Sequence, residues 1–503
     1  MEEGLLLGLD IGTGGVKGIL VSPEGEVVAQ ATAAYPLYTP RPGWAEQDPH
    51  DWWEASLKVL RELSRKAEGG ILGIGLTGQM HGAVFLDGKL QVIRPAILWN
   101  DARTGEECQK VEELVGKERL KGIAGNPALA GFQAPKILWL RKNEPENFSQ
   151  VRYVLLPKDY VRFRLTGELA TDASDAAGTL LLDLKKRDWS EEILSALSIP
   201  REWLPKVYEG PDITGAVTAE AESLTGIPKG TAVVAGGGDN AASAIGVGVV
   251  EEGTGLLSLG TSGVIFVHTE VPRPDPEGAI HCFCHAVPGK YHLMGVVLSA
   301  GGALQWYRDR LSSEEVAVAK RLGKDPYELL TAEAARVPPG AEGLFFLPYL
   351  SGERTPHMDP EARGAWVGLS LAHGRGHLVR AVLEGVAFAL RDSWVRIQRL
   401  GESPPELRAV GGGMRSPLWQ EIIAGVLGVP LRRLVVEEGA AYGAALLAGV
   451  GAKAFRDVRE AVKRAVRLRE EREEPDPELS SLYAGLYDRY VRLYPALKGA
   501  GIF

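Results

Sequence analysis

The sequence predicts an α/β protein of two domains, and three observations carry that expectation. Its 503 residues exceed what one hydrophobic core usually holds. Short apolar, β-branched runs end in glycine-rich turns that lead into helical patterning, as where Thr231–Ala235 runs into Gly236-Gly-Gly238. A stretch of the second half, Leu256-Leu-Ser-Leu-Gly-Thr-Ser-Gly263, also lines up with Gly8-Leu-Asp-Ile-Gly-Thr-Gly-Gly15, about one domain earlier. The expected division is 1–246, 247–450 and a closing segment, 451–503.

In chain order, Leu5 to Asp10 reads as a buried strand, Val16 to Val21 as a second and Glu26 to Ala34 as a third. The turn between the first two, Ile11-Gly-Thr-Gly-Gly15, offers successive backbone N–H groups, a nest suited to phosphate oxygens or simply a tight hairpin. It lacks the spacing of a P-loop, and a strand rather than a helix follows it. Asp10 stands at the strand end, where a carboxylate could hold Mg²⁺ or its water shell. Asp48 caps a helix with Pro49 in its first turn and Trp53, Leu57 and Leu60 on one core face. Ile71 to Leu76 is a further strand, and it ends in Thr77-Gly-Gln-Met-His-Gly82. Gln79 and His81 there suit a polyol's hydroxyls, with Met80 for its C–H face.

The central stretch is Thr231-Ala-Val-Val-Ala-Gly-Gly-Gly-Asp-Asn240. It places Asp239 at a strand-to-helix turn, as either an N-cap or a carboxylate pointing into a cleft. In the second half, Gly260-Thr261 repeats Gly12-Thr13, with Ser258 where Asp10 stands. The glycine segments Ser299–Trp306 and Ala409–Trp419 could admit a flat base or simply pack helices closely. His281-Cys-Phe-Cys-His285 lacks structural-zinc spacing and reads as alternation in a half-buried strand. Gly439–Gly449 is a small-residue helix suited to close packing. The charged run Arg467–Asp476 precedes a last helix, Leu479–Leu493, expected to lie over the domain junction.

Taken together these segments resemble the FGGY carbohydrate kinases. The second family signature is matched from Gly364-Ala-Trp-Val-Gly-Leu369 to His377-Leu-Val-Arg-Ala-Val-Leu-Glu384. The first, Gly131–Asn143, departs only at Gln133, where the family prefers Pro, Ser or Thr. The resemblance implies two ribonuclease H-like domains of the actin/hexokinase ATPase type, flanking a catalytic cleft. It implies Asp239 as the base, with Gln79, Met80, His81 and Asn240 at the sugar. Thr13, Gly14, Lys17, Gly260, Thr261, Gly301, Gln305 and Gly413 would handle ATP, and Asp10 and Asp239 would lie at Mg²⁺. Gly14 stands where Ser or Thr is frequent. Glycerol kinases carry Arg-Glu where this chain has Met80-His81, so glycerol is disfavoured as the acceptor. A homodimer is common in the family.

A net charge of −9 and pI near 5.7 argue against nucleic-acid or anionic-membrane partners. Three cysteines suggest a reducing compartment, and no signal-like segment opens the chain, so a cytoplasmic location is expected.

Overall fold

The computed structural model describes residues 4–503. The first sheet uses β1 (Leu5–Ile11), β2 (Gly15–Val21), β3 (Val27–Ala34), β4 (Ile71–Gly78), β5 (Ile213–Ala216), β6 (Ala232–Val234) and the two-residue β7 (Gly237–Gly238). The second uses β8 (Gly255–Leu259), β9 (Gly263–Thr269), β10 (His281–Cys284), β11 (Tyr291–Val297), β12 (Leu407–Val410), β13 (Leu431–Leu434) and β14 (Leu468–Glu473). The helices that matter below are α1 (Pro49–Ser64), α2 (Gln133–Asn143), α3 (Asp239–Gly246), α4 (Gly301–Leu311), α5 (Arg375–Arg399), α6 (Pro417–Leu427), α7 (Gly439–Gly451), α8 (Val458–Ala465) and α9 (Pro477–Tyr490).

The two sheets share one topology. The first runs β5-β6-β4-β1-β2-β3 and the second β14-β13-β12-β8-β9-β11, with β10 added at the edge. In each, a three-stranded antiparallel meander is extended by two parallel strands and closed by an antiparallel one. The repeat noticed between Gly8–Gly15 and Leu256–Gly263 is the first hairpin of each sheet.

Alternation along β1 sends Leu7, Leu9 and Ile11 to one face and Leu6 and Gly8 to the other. The first face is covered by α1, started by Asp48, whose carboxylate accepts from His50 N at 2.9 Å, with Trp52, Trp53 and Leu60 buried. The second face is covered by α7, which belongs to the second half of the chain. Leu6, Ile19 and Val234 pack there with Ala441, Ala445 and Leu446. Glycine makes the approach possible: a Cβ on Gly8 would lie 1.8 Å from the Ala441 carbonyl, and one on Gly75 1.9 Å from that of Ala444. Helix α7 packs equally closely on α3, where a Cβ on Gly443 would fall 1.8 Å from the Ala242 carbonyl.

Two expectations need correction. The closing helix does not lie over the junction: α9 packs on the second half, where Tyr483 reaches Arg380 and Glu384 of α5 and Tyr490 reaches Tyr349. Its aromatic face finds the apolar wall of α5 and α6. The shorter α8 sits beside α7, and the charged run before α9 forms the edge strand β14. Nor is His281–Cys284 half-buried: all four residues of β10 are buried, because the first half covers the outer face of the second sheet.

Candidate active site

Helix α3 begins at Asp239 itself, with Gly238 in the N-cap position. The Asp239 carboxylate is therefore not the cap. Its Oδ1 accepts from Asn240 N at 2.7 Å and Asn240 Nδ2 at 3.0 Å, so Asn240 orients the carboxylate. Burial raises its pKa to about 6, against the lowering effect of those two bonds. The strand before it turns on Gly236, whose φ is +78°. A Cβ added there would lie 1.8 Å from the Leu76 carbonyl, so the position admits no side chain. Ser174 Oγ accepts from Gly238 N at 3.1 Å, and the buried Arg162 donates to the Ala235 carbonyl.

Asp10 is the penultimate residue of β1, opposite Lys17 in the β1–β2 register. Its Oδ1 is buried without a hydrogen-bond partner. Burial first, then the Asp239 charge, push its pKa up to about 7, while Lys17 pulls it down. Two carboxylates, one with a free buried oxygen, are a donor set that fits a divalent cation. Among the described residues no three His, Cys, Asp or Glu side chains gather as a metal site, so neither the His281–His285 run nor these two carboxylates make a closed protein cage.

The Gln-Met-His loop meets both carboxylate-bearing segments. A Cβ on Gly238 would lie 3.0 Å from Met80 Cγ, so Met80 packs against the residue before Asp239. Thr13 Oγ1 donates to Gln79 Oε1 at 3.3 Å and accepts from Trp99 Nε1 at 2.9 Å. Gln79 in turn donates to Gln47, which also binds the Thr13 carbonyl. His81 has φ +68° and donates from Nδ1 to the Gly178 carbonyl at 2.6 Å, leaving Nε2 as the acceptor. Burial lowers its pKa to about 3, so the ring is neutral. Beneath it, the buried Lys136 of α2 donates to the carbonyls of His81 and Gly131 at 2.7 and 2.6 Å. Gln133, the departure from the first signature, donates to the Gly82 carbonyl at 2.9 Å.

The nucleotide candidates of the second half converge. Gly260, Thr261, Gly301, Gln305 and Gly413 line one cavity of about 560 Å³ between the first turn of α4 and the start of α6. The amides of Ala300, Gly301 and Gly302 donate to the Gly260 and Thr261 carbonyls at 2.9 Å, so the start of α4 is tied to the hairpin. A Cβ on Gly301 would fall 2.3 Å from the Gly260 carbonyl, and one on Gly413 2.4 Å from Leu259. Sequence reasoning missed Asp325, Tyr327, Glu328 and Thr331 in the same lining. The capping pair Asp325-Pro326 signals the helix Pro326–Ala334, not a site. In the first half, Thr13 bonds to Gln79 of the sugar loop, and Gly14 is exposed. Lys17 is ion-paired with Glu438, at the start of α7.

Comparison with known proteins identifies the family. Models of the N-terminal and C-terminal domains of the FGGY family of carbohydrate kinases match residues 5–246 and 255–452. The chain belongs to the FGGY family of carbohydrate kinases. It is 43% identical to the xylulose kinase of Escherichia coli K12 over 98% of this chain and 99% of that one. To the gluconokinase of Bacillus subtilis 168 it is 33% identical, over 84% and 82%. The ligand-bound xylulose kinase of Lactobacillus acidophilus superposes with a TM-score of 0.92 at 30% identity, covering 98% of both chains. As an FGGY kinase this chain is an enzyme that phosphorylates a carbohydrate, with ATP as the family's donor. No helix among the described residues is long and apolar enough to cross a membrane.

Proposed function

We propose that the enzyme transfers the γ-phosphoryl group of MgATP to the C5 hydroxyl of D-xylulose, with Asp239 as general base. The observation that carries this reading is the Asp239 carboxylate, set at the first turn of α3, oriented by Asn240 and reached by the Met80 side of the sugar loop. A pKa near 6 leaves it ionised at neutral pH yet basic enough to accept a proton as the hydroxyl oxygen attacks phosphorus. Phosphoryl transfer needs position and charge neutralisation more than covalent help.

Each further role follows from placement. Met80 gives the sugar's C–H face an apolar wall, and Gln79 and neutral His81 supply polar atoms for hydroxyls. The cavity bounded by Gly260, Gly301 and Gly413 takes the nucleoside, and its glycines let a flat base lie against backbone. Asp10 and Asp239 would hold Mg²⁺, a fit supported by the unpartnered Asp10 oxygen; when bound, the ion neutralises phosphate charge. Thr13 then presents the β1–β2 hairpin amides toward the transferred group. A homodimer, common in the family, is part of the proposal.

Similarity to a gluconokinase favours a second acceptor, gluconate, on the same machinery. The test is ADP formation by the purified enzyme with MgATP across D-xylulose, D- and L-ribulose, gluconate and glycerol. Preference for D-xylulose supports the reading. Preference for another polyol reassigns the pocket, and turnover with none of them refutes it.

A further inference from the structure

The cation of Arg354 stands beside the sugar loop and has no part in the mechanism above. Arg354 lies in the second half of the chain, on the segment that follows Phe345–Leu347. Its neighbours are tightly fastened. The Thr355 amide donates to the Val296 carbonyl at 3.1 Å, Thr355 Oγ1 accepts from Val296 N at 3.1 Å and donates to the Ala279 carbonyl at 2.9 Å. Glu353 turns inward, its Oε1 accepting from Leu298 N at 3.2 Å and from the backbone N of Arg354 at 2.7 Å. Both flanking residues are buried against β11, so the segment holds Arg354 outward in a fixed position.

Outward here means across the cleft. A Cβ on Gly131, in the first half, would lie 3.9 Å from Arg354 Nη2. The Gly131 carbonyl shares the Lys136 ammonium with His81, so the guanidinium stands beside the base of the sugar loop. The nearby walls are aromatic: His81 to Phe132 at 4.6 Å, Phe132 to His281 at 6.0 Å, and His281 to Phe283 at 5.4 Å between ring centroids. The positive charge acts on His81 and His281, lowering both.

Among the described residues the Arg354 guanidinium makes no hydrogen bond, ion pair or cation–π contact; its only bonds are through the backbone. Arginines buried in the interior are engaged. Arg162 binds Asp159 and two carbonyls, Arg380 binds Glu384 and Tyr483, and Arg103 binds Asp101 and Glu46. A half-buried guanidinium that a rigid segment holds beside the sugar loop, with no acceptor from the protein, points to a ligand that supplies oxygens. Asp239 is assigned the reacting C5 hydroxyl, so the oxygens left for Arg354 are those at the other end of the sugar.

We propose that Arg354 is a substrate-specificity residue whose guanidinium donates hydrogen bonds to the oxygens at the hydroxyketone end of the bound sugar, C1–C2, remote from Asp239. This rests on the D-xylulose reading above. It makes sugar recognition a joint act of the two halves: the first supplies Gln79, Met80 and His81, the second a fork of donors matched to two adjacent oxygens.

The test compares wild type with Arg354→Gln and Arg354→Lys on D-xylulose, 1-deoxy-D-xylulose (no O1) and xylitol (C2 carbonyl reduced). Sugar affinity is read without nucleotide by calorimetry, and kcat and KM by ADP formation. The expected loss for Arg354→Gln is a roughly 10- to 100-fold weaker binding of D-xylulose, with KM for ATP unchanged and partial rescue in Arg354→Lys. The decisive readout is the ratio between sugars: wild type discriminates against the analogues, and Arg354→Gln loses that discrimination for at least one of them. An equal loss on all three sugars, as a general loosening would give, overturns the inference. So does unchanged sugar affinity with a lowered kcat, which would assign the guanidinium to the phosphoryl group. A wild type that neither binds nor phosphorylates D-xylulose overturns the substrate reading, a result distinct from either of these.

Discussion

Gly443→Ala places one methyl group where α7 crosses α3, and the structure sets its cost. The new Cβ would fall 1.8 Å from the Ala242 carbonyl oxygen, 2.7 Å from its carbon and 3.0 Å from Gly246 N, all backbone atoms that no rotamer change can move. Restoring ordinary contact needs a separation of about 1.5 Å, and overpacking of this kind costs on the order of 3 kcal/mol. Alanine's better helix propensity returns about 1 kcal/mol, so a net loss of about 2 kcal/mol is expected. The displacement falls on the helix whose first residue is Asp239. A base misplaced by about 1 Å costs roughly 10²-fold in rate. Urea unfolding and kcat/KM measured on the same preparation read both effects. Gly122→Ala is the control, because Gly122 is exposed in Lys117–Ala124 with no atom within 4 Å of a new Cβ. It should stabilise by about 0.5–1 kcal/mol without touching activity. Wild-type stability and turnover in Gly443→Ala would show that α7 is not seated on α3 in this way.

Asp239→Asn should lower kcat by about 10²–10⁴-fold. In the wild type kcat/KM should fall about tenfold per unit as pH drops below about 6, because the base must be ionised and burial has raised its pKa to that value; a flat profile down to pH 4.5 would contradict the assignment. Gly301→Ala, with its Cβ 2.3 Å from the Gly260 carbonyl, should raise KM for ATP about tenfold and leave sugar binding alone, and the reverse pattern in steady-state kinetics would count against the nucleotide cavity. Lys136→Met leaves the carbonyls of His81 and Gly131 without their buried donor, so KM for the sugar should rise about tenfold, with unchanged KM refuting a role for the ammonium beneath the loop.

What could be read from the sequence was what short-range chemistry dictates. Gly12-Thr13 and Gly260-Thr261 announce themselves because a hairpin that hugs its neighbours tolerates few side chains, and each opens its sheet as the repeat implied. Asp239 was legible as a turn carboxylate, but its choice between cap and free carboxylate depended on whether the helix began before or at that residue. Contacts between distant residues left no local trace. His81 is fixed by a carbonyl 97 positions away, and Lys17 meets a carboxylate 421 positions away. Tyr327 and Thr331 look like any amphipathic helix until α4 and α6 fold around them. The last helix was mislocated because its periodicity shows that one face is apolar, not which wall of the molecule that face meets.

The glycine-floored seat of α7 on β1 and β4 also bears on how the chain is made. Strand β1 carries a face, Leu6 and Gly8, that stays uncovered until residues near 451 have been synthesised. The amino-terminal half is thus no self-sufficient module. Expressed alone to residue 246 it would present an open apolar sheet, and a gene split at that boundary would yield two fragments that must find each other before either is complete. Nascent-chain time, rather than the intrinsic speed of forming either sheet, then sets when the α7 face of the first sheet can close.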